Sequence, residues 1–433
     1  MSSRIPLRTI SVSALARVEG EGAMTVRVKD GKVDGVELRL YEPPRFFEGL
    51  LRGRSFTEPP DITARICGIC PVAYQMTACR AIEDAAGVRV GGPLHELRRL
   101  LYCGEWIQSH ALHIYLLHAP DFLGYAGAVE MAADHREAVE RGLALKKVGN
   151  EIMKLLGGRP VHPVNVRVGG FYRVPAKATL RGLAPVLEAG LAAALETVSW
   201  AAGFDFPELD IESPLVALHD PDGYAIIDGR IVSSDGINAS QAQFLEVFEE
   251  YQVQHSTALQ SRIVGAGHYL CGPIARYSLN YAQLTPVARE AASAAGLGTS
   301  CRSLFRSIIV RAVEVVEACS QALGIIEGYE EPPMPAVPVD AAGLTGHACT
   351  EAPRGLLYHR YRIGDDGLIA SAQITPPTSQ NQAQIEHDLA AFVGRNLDLG
   401  VPELTLRCEQ LIRSYDPCIS CATHFLSLQV VGR

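Results

Sequence analysis

Arg65-Ile66-Cys67-Gly68-Ile69-Cys70-Pro71, near one end, and Asp416-Pro417-Cys418-Ile419-Ser420-Cys421, near the other, decide how this chain must fold. Two cysteines three positions apart place both sulfurs on one side of a turn or short helix. Roughly 350 residues lie between the pairs, and the second ends twelve residues from the last residue. If the four thiols form one site, only the finished fold assembles it, and the two ends of the chain must meet there. A sequence-local zinc module keeps its second pair within about 15–20 residues of the first. A ferredoxin-type cluster needs a tighter run of cysteines, and a thioredoxin-type redox pair explains one Cys-x-x-Cys but not two.

The flanks favour reactive sulfur. Pro71 suits the first position of a helix, which puts Cys70 at or beside a helix N-terminus. Asp416 reads as an N-cap with Pro417 in the first turn and Cys418 following in that turn. Backbone N–H groups and the helix dipole stabilise thiolates at such places. Arg65 adds positive charge. Four thiolates around one divalent ion would stay strongly anionic, so a binuclear site or nearby cations are expected.

Working outward, 433 residues exceed the usual single-core limit, so subdomains are expected. Apolar residues make up 48% and charged residues 20%, an ordinary globular balance. The formal charge of −9 argues against nucleic acid or an anionic membrane as the main partner. The most apolar stretch, 182–203, is interrupted by Glu188 and Glu196 and reads as a buried helix. The first twenty residues carry no long apolar run, so no signal peptide is read. Eleven scattered cysteines fit no disulfide framework, which points to a reducing, cytoplasmic setting.

The chain reads as α+β and predominantly α, a central bundle of long helices with small peripheral β-hairpins. A β-rich part spans 1–60, where Asp30-Gly31 separates two alternating runs. Helical core follows over 61–205, with helices at 71–86, 93–118, 129–157 and 178–203. A small β patch covers 206–236, with Tyr224-Ala-Ile-Ile227 as its strand. A second helical stretch covers 237–330, with helices at 237–265 and 300–327. A C-terminal part covers 331–424, entered through Pro332, Pro333, Pro335 and Pro338. It holds a hairpin at 357–374, a helix at 380–394 and the second cysteine pair. Residues 425–433 complete the chain.

With their neighbours, the cysteine pairs resemble the two signatures of the large subunit of [NiFe] hydrogenases. The resemblance covers essentially the whole chain. Leu15-Ala-Arg-Val-Glu-Gly20, Arg45-Phe-Phe-Glu-Gly-Leu-Leu-Arg-Gly-Arg54, Glu351-Ala-Pro-Arg-Gly355 and Thr375-Pro-Pro-Thr-Ser-Gln-Asn381 resemble four further motifs of that family, in the same order. The implied activity is reversible heterolytic cleavage of H₂. The resemblance implies that all four cysteines bind nickel, Cys67 and Cys418 as terminal ligands and Cys70 and Cys421 bridging to an iron that carries one CO and two cyanides. It places a third metal, usually Mg²⁺, on Glu48 and His424. Glu19 would pass protons from Cys418 to the exterior. Arg354, beside Pro353, would stand over the open metal face. Thr378 would donate to a cyanide, and Asp416 would orient Arg354.

The resemblance also implies partners. The chain has no second cysteine cluster and no G-x-G-x-x-G, so electrons must leave through an iron–sulfur small subunit, with NAD(P)-reducing diaphorase and iron–sulfur subunits beyond it. The motif wording resembles the soluble, bidirectional NAD(P)-linked and sulfur-reducing group. Deazaflavin- or disulfide-reductase-linked enzymes and H₂ sensors are the alternatives. A non-catalytic scaffold like the related subunit of respiratory complex I is disfavoured, because all four cysteines are present. Nickel-insertion factors and an endopeptidase cutting after His424 are implied as maturation partners. Three departures stand out. Tyr74 replaces a histidine that hydrogen-bonds a bridging sulfur, Ser109 replaces an aspartate, and Glu21 replaces a histidine. His110 and His113 read as satisfied core histidines.

Overall fold

The computed structural model describes residues 8–43 and 45–423. His424 and the 425–433 segment lie outside them. Helix takes about 47% of the chain and strand about 20%, the expected predominantly helical α+β class.

Among the described residues, seven helices reach fifteen residues or more: α1 (Pro71–Ala85), α2 (Gly92–Leu112), α3 (Arg136–Gly157), α4 (Ala184–Ala202), α5 (Ser307–Gly328), α6 (Pro377–Arg395) and α7 (Val401–Tyr415). Five of them have proline at the first or second position, where its missing N–H costs nothing and its fixed φ suits helix entry: Pro71, Pro93, Pro185, Pro377 and Pro402.

 

α3 and α5 begin without a proline. The expected helix at 93–118 is α2 followed by a π-helical segment, His113–His118. The expected 129–157 and 178–203 helices are each broken near the start, into Ala128–Met131 plus α3 and Lys177–Arg181 plus α4.

α2 and α3 approach so closely that a Cβ on Gly149 would lie 2.4 Å from the Gly104 carbonyl oxygen. α5 runs through the middle, with Arg311, Glu314 and Glu317 as buried as its valines. The segment Lys177–Ala202 is long and apolar enough to cross a membrane by length and composition. It is not the buried helix expected: one face packs on the core and the other exposes Glu188, Ala189, Ala192 and Glu196.

The sheets are small. β1 (Arg8–Val12), β2 (Gly22–Lys29) and β3 (Lys32–Leu40) form an antiparallel meander, with Asp30 and Gly31 both at positive φ in the hairpin turn. β4 (Leu215–His219) pairs with β5 (Arg230–Ser233). Residues 224–227, expected to be strand, are instead a buried non-strand segment between them. The 237–265 helix is also corrected. Apart from a short helical turn at Phe244–Val247, most of that span is the antiparallel hairpin of β6 (Phe248–Gln252) and β7 (Leu259–Ile263). Phe248, Tyr251, Ile263 and their β-branched or aromatic neighbours suit a pleated, half-buried surface, which overrides the helical spacing. β8 (Thr345–Ala352), β9 (Gly355–Ile363) and β10 (Ile369–Thr375) form the third meander.

The chain ends meet as the cysteine spacing requires. Glu19 and Cys418 form a parallel bridge, in which the Ile419 N–H donates to the Glu19 carbonyl at 2.9 Å. The Arg45 N–H donates to the Thr423 carbonyl at 2.7 Å, and the Arg45 guanidinium reaches the carbonyls of Ile66 and Ser420. One side chain thus ties the two cysteine motifs together.

Candidate metal centre

Cys70 is the N-cap of α1, as its proline implies. The first N–H groups of that helix do not go to water. Glu105, fully buried on α2, accepts from Val72 at 2.6 Å and Ala73 at 3.0 Å. Glu105 had no signal in the sequence, where it reads as one more charge on a helix. The second pair departs from expectation. Asp416 does not cap a following helix. It closes α7 in the left-handed region, at φ 54°, and Cys418 is itself the N-cap of the single turn Ile419–Ala422. Aspartate tolerates that region better than most residues. In it the Asp416 main-chain oxygen accepts from Arg354 Nε at 2.8 Å while Oδ1 accepts from Nη2 at 3.1 Å.

The four sulfurs of Cys67, Cys70, Cys418 and Cys421 lie within 4.8 Å of one another, all buried. Cys67 and Cys418 are 3.5 Å apart, Cys70 and Cys421 3.6 Å, and Cys418 and Cys421 2.6 Å. Hydrogen bonds from Cys418, Cys421 and Cys70 hold the Cys67 thiol well below the ordinary range, whereas burial lifts Cys418 well above it. Four thiols in one dry place can all ionise only beside a cation. The remaining cysteines are isolated, and burial pushes the Cys103 and Cys408 thiols up to about 12.

The other residues singled out in the sequence surround this group. Glu19 Oε2 lies 3.0 Å from Cys418 Sγ and also accepts the Ser420 N–H at 3.1 Å. The Thr378 hydroxyl accepts the Cys418 N–H at 3.0 Å, which leaves its own proton to donate. The Pro353 carbonyl accepts from Arg276 at 2.9 Å. Arg354 is buried beside the thiol group; burial opposes its charge, the Asp416 carboxylate foremost holds its proton, and its Nη1 has no partner. Asp416 Oδ2 and the Tyr74 hydroxyl are likewise buried without partners. Tyr74 stands beside the thiol group: burial first, then the charges of Cys421, Cys70 and Cys418, lift its pKa well up. Ser109 Oγ is also unpartnered. His110 and His113 are core histidines as expected, each bonded through Nε2, to Glu314 at 2.9 Å and to the Arg413 carbonyl at 2.7 Å, but each Nδ1 is buried without a partner, so neither is fully satisfied.

Soft thiolates select nickel, zinc or iron over hard cations. The orphaned Arg354 Nη1 and the spare Thr378 proton fit a metal carrying small hydrogen-bond-accepting ligands, which a zinc ion held by four sulfurs alone would not supply. Away from the thiols, Glu48 Oε1 accepts the Ile374 N–H at 2.8 Å. Glu250, a residue sequence reading missed on β6, stands close by. Burial first, and then the Glu48 charge, push its carboxyl up to about 8. His424, the other residue expected with Glu48, lies outside the described residues.

The model of the nickel-dependent hydrogenase family matches residues 45–142 and 271–424, more than half of the chain and both cysteine pairs. The chain belongs to the nickel-dependent hydrogenases. The alpha subunits of sulfhydrogenase 1 and sulfhydrogenase 2 of Pyrococcus furiosus are 31% and 33% identical to it, each aligned over 97% of this chain and 98% and 100% of their own lengths. The beta subunit of the NAD-reducing hydrogenase HoxS of Cupriavidus necator is 27% identical over 97% of this chain and 95% of its own. A crystal structure of an NAD⁺-reducing [NiFe]-hydrogenase in the H₂-reduced state superposes with a TM-score of 0.85 at 25% identity, over 96% of this chain and 99% of that one. This hydrogenase chain is a catalytic large subunit, and its family implies a nickel–iron centre with cysteine ligands.

Proposed function

We propose that this subunit cleaves H₂ reversibly and heterolytically, with Cys67 and Cys418 as terminal nickel ligands and Cys70 and Cys421 bridging to iron. The observation that carries this reading is the buried group of four thiols with the Glu19 carboxylate in hydrogen-bond reach of one of them. When bound, the nickel–iron centre would supply the soft, redox-active acceptor that polarises H₂ and takes its electrons.

The protein's part is proton handling and positioning. Cys418 Sγ accepts the proton and Glu19 Oε2, in hydrogen-bond reach, carries it outward. A positioned acid–base group of this kind is worth about 10²–10⁴ in rate. Arg354, fixed by Asp416, holds a cation against the thiol group without needing to reorganise. Pro353, Arg354 and Thr378 form the wall that faces the CO and two cyanides we assign to iron. Mg²⁺ belongs on Glu48 with His424, and Glu250 stands beside Glu48.

Electrons leave through an iron–sulfur small subunit. NAD(P)⁺, reached through diaphorase subunits, is the acceptor that best fits the relatives. The reading includes a cytoplasmic complex, nickel-insertion factors, and an endopeptidase that removes 425–433 after His424. The purified complex should reduce NADP⁺ or NAD⁺ with H₂. Reduction of a deazaflavin or of neither nucleotide would reject the acceptor assignment and leave the H₂ chemistry standing.

A further inference from the structure

α5 contributes no residue to the thiol group, yet its Arg311 reaches one of the two loops that form the group's far wall and its Glu314 holds the other through Arg276. Arg311 is fully buried and hydrogen-bonds no carboxylate. Its Nη1 donates to the Ser414 carbonyl at 3.0 Å and its Nη2 to the Tyr415 carbonyl at 3.2 Å. Ser307, one turn earlier, also donates to Ser414 at 3.0 Å. These are the last carbonyls of α7, which have no partners within the helix and sit at the negative end of its dipole. With His113 on the Arg413 carbonyl and Arg354 on that of Asp416, four successive carbonyls are held by donors from outside the helix. The next residues are Pro417 and Cys418. The left-handed Asp416 is a strained point that persists only where its surroundings over-determine it.

Glu314 lies one turn beyond Arg311. It takes Arg276 Nε and Nη2 at 2.8 Å each. Arg276 in turn donates to Glu351 at 3.1 Å, to the Ala352 carbonyl at 2.8 Å and to the Pro353 carbonyl at 2.9 Å. The next residue is Arg354. All of these groups are buried, so none exchanges its partners for water. The two loops then meet at the Arg354–Asp416 pair.

We propose that Arg311 and Glu314 are positioning residues through which α5 holds the Arg354 loop and the Cys418 turn in register across the metal centre. Neither touches a thiol. Arg311 fixes the backbone just ahead of the Asp416–Cys418 turn, Glu314 fixes through Arg276 the backbone just ahead of Arg354, and because both stand on one rigid helix the two loops keep one relative position. The inference rests on the four thiols being the nickel site.

Arg311→Gln and Arg311→Lys in the intact complex test it, with nickel content, the nickel electron paramagnetic resonance spectrum, and H₂ turnover per nickel as readouts. Arg311→Gln is expected to keep its nickel, shift the spectrum, and lower turnover per nickel about tenfold or more with KM for H₂ within about twofold. Lysine is a point charge that cannot hold both carbonyls, so Arg311→Lys should fall between Gln and wild type. A wild-type spectrum with turnover per nickel within about twofold in Arg311→Gln overturns the proposal. So does a loss that merely follows nickel content. If Arg311→Gln yields no loaded complex, Arg311→Lys decides by the same criteria. A wild-type complex without nickel would instead overturn the metal reading on which the inference rests.

Discussion

At the scale of single residues, the hydrogenase depends on a few side chains whose neighbours define what they can do. Glu19 is one of two carboxylates ahead of residue 22, and its half-buried place against Cys418 Sγ at 3.0 Å and the Ser420 N–H at 3.1 Å distinguishes it from the exposed Glu21. Glu19→Gln keeps the shape and removes the proton. It should lower H₂ turnover about 10²–10⁴-fold with nickel content unchanged. Turnover within twofold of wild type would remove Glu19 from the proton path. Arg354→Lys keeps the charge but cannot hold the Asp416 carbonyl and carboxylate in one plane. Turnover should fall at least tenfold with nickel retained, and an unaltered rate would show that charge alone suffices. The four thiols, Glu19, Arg354 and Thr378 were legible because each stands in a motif. Glu105 and Arg311 were not, since their partners are main-chain groups brought to them only by the fold, and a main-chain partner leaves no mark in sequence.

At the scale of elements, proline, glycine and strand alternation carried most of what could be read. The Asp30-Gly31 hairpin and the start of α1 at Pro71 follow from local chemistry alone. The 237–265 span failed because its apolar residues repeat at a spacing that a helix also satisfies, while the pairing that makes it β6 and β7 is set by contacts outside it. Asp416 failed for a related reason. An Asp-Pro start is indistinguishable in sequence from a helix end whose aspartate turns left-handed toward Arg354. The α2–α3 contact makes a sharper prediction. Gly149→Ala forces a methyl to within 2.4 Å of a carbonyl oxygen. It should destabilise the protein by about 1–3 kcal/mol, the usual cost of overpacking, seen as a lower denaturation midpoint. An unchanged midpoint would mean the two helices can part freely.

At the scale of the whole molecule, charge is buried in the centre of the fold and held there by pairing. Burial opposes ionisation of Glu314, but the Arg276 guanidinium and then His110 bring its carboxyl down to about 2. A carboxyl depressed from about 4.3 in the unfolded chain adds stability that is complete above that value and is lost as pH falls toward 2. Glu314→Gln should therefore be less stable at neutral pH and lose less stability between about pH 4.5 and 2, as read from unfolding midpoints across that range. An acid limb as steep as that of wild type would assign the effect to other groups.

The same molecular scale explains why the cysteine pairs stand so far apart: the metal site closes only when the final turn, Ile419–Ala422, reaches Glu19 and Arg45. Nickel K-edge X-ray absorption on the purified complex, with quantitative metal analysis, tests that centre most directly. One nickel per large subunit in a sulfur-rich shell, with a heavier neighbour from iron, is the expected result. Zinc in four-sulfur coordination, with no nickel, would contradict it.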